Sequence, residues 1–268
     1  MVKVLVTGCL GRMGIRIINM IQNTDGVVLA AAIERPGHTK RGEDVGTLIG
    51  LGQLNVPVSD DIEDCVDLCD VMIDFTSPEV SLINLRVAAD RDKAIVIGST
   101  GLNTEQMHEA KTICENTRCV LAPNMSVGVN ILFKVLSEIS PLLKDDYDIE
   151  IIEAHHRNKK DAPSGTAIKL AEVIAESIDR NLDTVGVYDR HGIIGARTDA
   201  EIGMQTIRGG DIVGDHTVIF AGTGERIEIS HKATNRDNFA KGAVKAAKWL
   251  SEKENGLYDM MDVLGLKG

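Results

Sequence analysis

In the first half of the chain, short continuous apolar runs alternate with longer segments whose apolar positions recur every three or four residues. Unbroken runs belong to strands buried on both faces, and the three-to-four spacing to helices that present one apolar side. The pattern predicts strands at 3–7, 28–33, 71–75, 94–98 and 119–122, with helices at 12–22, 78–90 and 104–116 between them. Ser77 and Asn103 stand at the N-cap positions of the last two helices, where a side-chain oxygen satisfies a free N–H. Alternation of this kind builds a parallel sheet covered by helices. The segment 37–52, GHTKRGEDVGTLIGLG, has no period and reads as a surface loop.

Beyond Pro123 the pattern changes. A long helix is predicted at 127–143, a strand at 148–155 and a second helix at 165–178. Three strand-like segments follow at 202–207, 213–221 and 226–231, punctuated by the turn sequences RGGD at 208–211 and GTGE at 222–225. Successive strands joined by short turns predict a mixed, largely antiparallel sheet in a smaller α+β domain. Phe239, Ala243, Ala246, Ala247 and Leu250 then repeat at helical spacing over 238–250.

Composition narrows the function classes. At 268 residues the chain has room for two domains, and 43% hydrophobic with 26% charged residues is a globular balance. The opening MVKVLVTG lacks the apolar core of a signal peptide, and no run approaches the roughly 18 apolar residues of a membrane span, so a cytoplasmic protein without a membrane partner is expected. A formal net charge of −11 argues against nucleic acid, which needs a broad basic face. Five cysteines without a C-x-x-C pair predict neither a disulfide framework nor a metal site.

The first strand runs into Gly8-x-x-Gly11-x-x-Gly14 and a helix starts there, with the acidic Glu34 closing the next strand about twenty positions on. Glycines allow the tight turn and a close approach of the backbone to a pyrophosphate, whose charge is received by N–H groups at the helix start. Glu34 suits an adenine-ribose diol, as in NADH, and the adjacent Arg35 suits a 2′-phosphate, as in NADPH. Arg12 is either a phosphate contact or a solvated charge. The strand ends 75–78, 98–101 and 122–126 carry small or polar residues suited to a nicotinamide and its ribose.

The densest chemistry lies in EAHHRNKKDAPSGTA, residues 153–167. His155, His156, Arg157 and Lys159 cluster cations whose repulsion calls for an anionic ligand or solvent. Pro163 then leads into a helix start at which the N–H groups of Gly165 and Thr166 offer a second anion site. Two anion sites side by side point to a small dicarboxylate.

This run closely resembles the signature of the dihydrodipicolinate reductase family, which serves the diaminopimelate branch of lysine biosynthesis. The similarity extends over 8–14, Glu34-Arg35, 74–76, 98–101, 122–130, 208–218 and 256–264. It implies a Rossmann-type dinucleotide-binding domain at 1–126, a substrate-binding and oligomerisation domain at 127–235, and a segment 236–268 that packs back on the first domain. The implied assembly is a homotetramer formed through the second domain's sheet. The implied reaction is reduction of a dicarboxylate cyclic imine, 4-hydroxy-tetrahydrodipicolinate, to tetrahydrodipicolinate by NADH or NADPH with loss of water. Hydride goes to the carbon that lost the hydroxyl, and the neighbouring carbon is protonated.

Carried across by position, the resemblance makes His155 the general acid/base and Lys159 a proton donor, with His156, Gly165 and Thr166 on the substrate carboxylates. Which of His155 and Lys159 passes the proton directly stays open. The cofactor contacts implied are Gly8, Cys9, Leu10, Gly11, Arg12, Met13, Glu34, Arg35, Gly98, Ser99, Thr100, Ala122, Pro123, Asn124 and Met125. Ser99 replaces the family's usual threonine and keeps its hydroxyl. Two other uses of such a scaffold have their own requirements. A semialdehyde dehydrogenase needs a nucleophilic cysteine at the nicotinamide, and no cysteine here lies in a loop suited to that. A dinucleotide-binding redox sensor has no use for His155 or Lys159.

Overall fold

In the computed structural model, which describes residues 1–267, the first strand β1 (Val2–Thr7) leads into α1 (Arg12–Gln22) and β2 (Val27–Ile33). A short helix α2 (Val45–Leu48) and strand β3 (Val58–Ser59) come next, then β4 (Val71–Asp74), α3 (Pro78–Asp90), β5 (Ala94–Ile97), α4 (Thr104–Ile113) and β6 (Arg118–Leu121). The chain continues through α5 (Val127–Leu143), β7 (Asp148–His155), α6 (Gly165–Ser177), α7 (Leu182–Val185), β8 (Gly186–Val187), β9 (Ile202–Arg208), β10 (Gly214–Ala221) and β11 (Arg226–Ala233). It ends with α8 (Asp237–Leu250), β12 (Gly256–Tyr258) and α9 (Met260–Leu264). Two compact units result: Met1–Val127 with the chain from Arg236 onward, and Gly128–Asn235. Among the described residues no helix is long and apolar enough to cross a membrane.

The first unit holds a seven-stranded parallel sheet in the order β12-β6-β5-β4-β1-β2-β3. Every residue of β4 and β5 is buried, which is why their sequences read as unbroken apolar runs. Val4 and Val6 join Ile17, Ile18 and the alanines of α8 on one face, while Leu5 joins Leu82, Leu85 and Ile97 on the other. Strand order reverses beside β1, and in open sheets such a switch point opens a crevice at the carboxyl ends of the strands. Ser77 caps α3 and Asn103 caps α4, the latter in a reciprocal box with Gln106.

One expectation needs correction here. The aperiodic segment 37–52 contains α2, whose first residues Val45 and Gly46 are buried. It is organised by Asp44, whose carboxylate accepts the N–H groups of Thr47, Leu54 and Val56. Those bonds, that of Thr47 first, hold the Asp44 carboxyl down at about 2. Strand β12, three residues long and paired with β6 at the sheet edge, has no counterpart in the sequence pattern because it is too short to show a period.

The second unit carries a five-stranded sheet ordered β11-β10-β7-β9-β8. The turn at 222–225 closes a β10–β11 hairpin, with the Gly222 N–H on the Glu225 carbonyl at 2.9 Å. The turn at 208–211 closes none, because β7 lies between β9 and β10 and pairs with both, parallel to β9 and antiparallel to β10. With β8 also parallel to β9, the sheet is mixed: its long ladders on either side of β10 are antiparallel, and β9 adds the parallel pairs. The segment between β9 and β10 therefore arches over the carboxyl end of β7. One face of β7 packs Ile149 and Ile151 into a core with Phe133, Leu136, Leu170 and Phe220.

Candidate active site

The strict alternation of β7 sends Ile149, Ile151, Glu153 and His155 to its buried face, so an apolar core becomes a polar cluster at the strand's carboxyl end. Glu153 is 1% exposed and sits at the centre. Its Oε2 lies 2.6 Å from His155 Nδ1 and accepts Arg208 Nη1 at 2.8 Å. Its Oε1 accepts Arg208 Nη2 at 2.7 Å, the Ser164 N–H at 3.0 Å and the Thr206 hydroxyl at 3.2 Å. Register explains the convergence: Thr206 and His216 stand beside Glu153 on the two neighbouring strands, and Arg208 stands beside His155.

Burial alone would raise the Glu153 carboxyl, but the hydrogen bonds from His155 and Arg208 outweigh it and hold the group at about 2. It is a carboxylate at neutral pH, and an acceptor only. His216 is the reverse case. Burial, then the neighbouring His155, pushes its imidazole down to about 3, so it is neutral. Its Nε2 lies 2.9 Å from Ser164 Oγ, and its ring meets that of His155 edge-on with centroids 5.2 Å apart.

Ser164 joins this cluster to the helix start. Its Oγ accepts the Ala167 N–H, capping α6, and Gly165 and Thr166 form the helix's first turn. The structure thus brings His155 and Ser164 onto one carboxylate, with Gly165 and Thr166 immediately beyond. Lys159 is engaged differently: its Nζ pairs with Asp161 Oδ2 at 2.8 Å, and Arg208 reaches the Asp161 carbonyl. The cationic run is therefore offset within the chain by Glu153 and Asp161, where the sequence pattern called for a ligand or solvent. His156 Nδ1 is buried without a hydrogen-bond partner among the described residues, while Arg157 is exposed. The arch holds its place through the Gly209 N–H on the His155 carbonyl and the Arg157 N–H on the Gly210 carbonyl.

In the first unit, the three-glycine loop is shaped by backbone crowding. Gly8 has φ +59°, and a Cβ on Gly14 would lie 2.2 Å from the Gly8 carbonyl oxygen. Within the loop the N–H of Cys9 bonds Ile33 O, that of Leu10 bonds Glu34 Oε1 at 2.8 Å and that of Gly11 bonds Gly8 O. These donors are engaged, so the N–H groups presented to an anion begin with Arg12 and Met13 at the head of α1. Cys9 has no exposed side chain, and its thiol is pushed up to about 12, by burial first and Glu34 second. A cavity of about 680 Å³ beside the loop is lined by Gly8, Glu34, Arg35, Arg41, Asp60 and Thr76. Arg35 is exposed, whereas Arg41 is paired with Asp60 at 2.9 Å.

At the ends of β4 and β5 a fully buried carboxylate, Asp74, was not singled out as a functional residue. It accepts the N–H and hydroxyl of Thr76, the hydroxyls of Ser81 and Ser99, and the Asn84 amide. Ser99 is thereby tied to Thr76 through one acid. Gly98 is a glycine because the Phe75 ring occupies the place of its Cβ. Thr100 and Pro123 are exposed, and Asn124 Oδ1 accepts the Ser126 N–H. Ala122 and Met125 are buried, and a Cβ on Gly242 of α8 would lie 1.7 Å from the Met125 carbonyl oxygen, so α8 backs this loop directly.

Glu153, Ser164, Thr206, Arg208 and His216 were not assigned roles from sequence. Glu153 and Ser164 lay inside the run 153–167, whereas Arg208 and His216 come more than forty residues after it and meet it only through strand register.

Two family models described as dihydrodipicolinate reductase match the chain, the N-terminus model over residues 2–125 and the C-terminus model over 128–264. The 4-hydroxy-tetrahydrodipicolinate reductases of Geotalea daltonii and Geobacter sulfurreducens are 57% and 55% identical over 267 residues, with all of each chain covered. A solved dipicolinate-bound dihydrodipicolinate reductase from Paenisporosarcina sp. TG-14 superposes with a TM-score of 0.77 at 26% identity, over 98% of both chains. Aspartate semialdehyde dehydrogenase II from Vibrio cholerae shares the fold alone, with a TM-score of 0.55 at 11% identity over 93% of this chain and 98% of that one.

Proposed function

We propose a residue-level assignment for the reaction of this chain, which belongs to the dihydrodipicolinate reductase family and reduces 4-hydroxy-tetrahydrodipicolinate to tetrahydrodipicolinate with a nicotinamide dinucleotide. The observation that carries it is the ionised, nearly fully buried Glu153 holding His155 at 2.6 Å beside a helix start. His155 is the acid/base, and Lys159, released from Asp161 by the substrate's own charge, takes a carboxylate or passes the proton. The other carboxylate contacts are His156 and the N–H groups of Gly165 and Thr166.

The first unit fits the dinucleotide: its glycine turn admits backbone contact, and free donors head α1. Arg12 and Met13 receive the pyrophosphate there, with Gly8 and Gly11 shaping the turn. Cys9, Ala122 and Met125, buried in their side chains, contribute only main chain, and Leu10 orients Glu34 through its N–H. Glu34 binds the adenine ribose and Arg35 a 2′-phosphate, so NADH and NADPH both serve. The loops Gly98–Thr100 and Ala122–Asn124 hold the nicotinamide end. When bound, the dinucleotide supplies the hydride. The chain's own residues grip the two carboxylates and deliver a proton to the carbon beside the reduced one. The protein works in the cytoplasm as a homotetramer, and assembly through the second sheet is supported by Ile207, exposed on the face of that sheet opposite its core.

The test uses His155→Ala and Lys159→Ala. Turnover with freshly generated substrate falls at least a hundredfold, as loss of a positioned acid/base predicts, while nucleotide affinity is unchanged. Loss of nucleotide binding in either variant, or turnover near wild type in both, would overturn the assignment.

A further inference from the structure

Which nitrogen of His155 does the chemistry is decided by its surroundings. Nδ1 lies 2.6 Å from Glu153 Oε2. Both Glu153 oxygens also accept from Arg208, at 2.7 and 2.8 Å, and Oε1 accepts two further donors, the Ser164 N–H and the Thr206 hydroxyl. A carboxylate so surrounded by donors can only accept, so the proton between it and His155 sits on Nδ1. At the other end of the ring, a Cβ on Gly214 would lie 3.0 Å from Nε2, tighter than ordinary contact. Glycine there keeps Nε2 uncovered. The neighbouring His216 spends its own Nε2 on Ser164 Oγ and does not compete for that of His155.

We propose that Glu153, clamped by Arg208, is a positioning residue that fixes His155 as the Nδ1–H tautomer, and that Nε2, kept open by Gly214, is the atom that exchanges the proton with the substrate. The second half rests on the reading of His155 as the acid/base, whereas the tautomer does not. In the protonation step the Nε2–H bond breaks and a C–H bond forms at the ring carbon beside the one that took the hydride. The N–H electron pair stays on Nε2, and the neutral ring keeps its Nδ1–H, donated to Glu153, until solvent restores the proton on Nε2.

A merely structural Glu153, tying β7, β9 and the start of α6 together, makes a different prediction, because it leaves the tautomer of His155 unspecified. The experiment is a long-range ¹H–¹⁵N correlation spectrum of the full chain labelled with ¹⁵N-histidine, at a pH where His155 is neutral. His155 is assigned by the signal missing from His155→Gln. The expected result is the Nδ1–H form in the wild-type protein and a change of tautomer in Glu153→Gln. An Nε2–H form in the wild type would overturn the proposal. In steady-state kinetics, Glu153→Gln lowers kcat by about a hundredfold, as loss of an oriented acid/base does, with KM moved by less than roughly threefold, and Glu153→Asp recovers part of the loss.

Gly214→Ala guards against a folding defect in Glu153→Gln, since it leaves the cluster bonds in place. It keeps the Nδ1–H tautomer and lowers kcat by about tenfold or more, because a small misplacement at the reacting atom is costly. Wild-type kcat in that variant would overturn the role of Nε2. Full activity of His155→Gln would sink the assignment of His155 as acid/base and leave the tautomer result standing by itself.

Discussion

Replacing Arg208 by methionine keeps the length of the side chain and removes the cation from Glu153. In the wild-type protein the Glu153 carboxyl sits at about 2 against an ordinary 4.5. At 1.36 kcal/mol for each tenfold change in acidity, that difference is linked to about 3 kcal/mol of stability. A folded-state value below the unfolded one means the contribution is complete above pH 4.5 and is lost as the pH falls toward 2. Breaking a buried pair by removing one partner costs about 3–5 kcal/mol. The lower end applies here, because His155, Ser164 and Thr206 still donate to the stranded carboxylate. For a chain of this size about 3 kcal/mol lowers Tm by roughly 6–12 °C. The assay is thermal unfolding followed by circular dichroism at a series of pH values. Arg208→Met should melt lower than the wild type by that amount near neutrality, with the gap closing as Glu153 is protonated in both proteins. A gap below about 2 °C, or one that does not change with pH, would refute the view of Glu153 as a buried carboxylate held by its cation.

His216, neutral and pushed down to about 3 by burial from an ordinary 6.5, opposes protonation in the folded state. Its stabilising effect is therefore complete above pH 6.5 and falls away as the pH drops toward 3. His216→Gln should flatten the pH dependence of Tm over that window, and an unchanged slope would contradict the assignment. Gly14→Ala puts a methyl 2.2 Å from the Gly8 carbonyl oxygen and should weaken NADH binding, followed by fluorescence titration, by at least about tenfold, or 1.4 kcal/mol. Binding within a factor of two would show that the loop yields. Arg35→Ala should reduce kcat/KM for NADPH by about tenfold and leave NADH nearly unaffected, whereas an equal fall for both would place Arg35 outside the phosphate site.

Local information accounts for the parts of the fold that were legible. The fully buried strands β4 and β5 read as unbroken apolar runs, and α3 and α4 begin where Ser77 and Asn103 announce a cap. What escaped depends on contacts far apart in the chain. Helix α2 exists because the Asp44 carboxylate reaches Leu54 and Val56, and nothing in the period of 37–52 reports that. The insertion of β7 between β9 and β10 is a choice of strand order, invisible in turns that would equally suit hairpins.

The same division runs through the candidate site. His155, Ser164 and Gly165 are near neighbours in one run, so their grouping was readable. Glu153 stood in that run as one of two acids beside cations, and only its place after Ile149 and Ile151 in the alternation of β7 pointed inward. Its importance appears only when register delivers Arg208 and Thr206 from β9. Asp74 was hidden likewise, because its value lies in joining Thr76, Ser81, Asn84 and Ser99 from different segments.

The most direct test of the whole account is oxidation of NADH and of NADPH by the wild-type chain, on addition of 4-hydroxy-tetrahydrodipicolinate made in place from pyruvate and aspartate semialdehyde. Oxidation of both nucleotides that depends on the freshly made substrate and is lost in His155→Ala is the predicted result. A folded protein that binds nucleotide yet oxidises neither would contradict it.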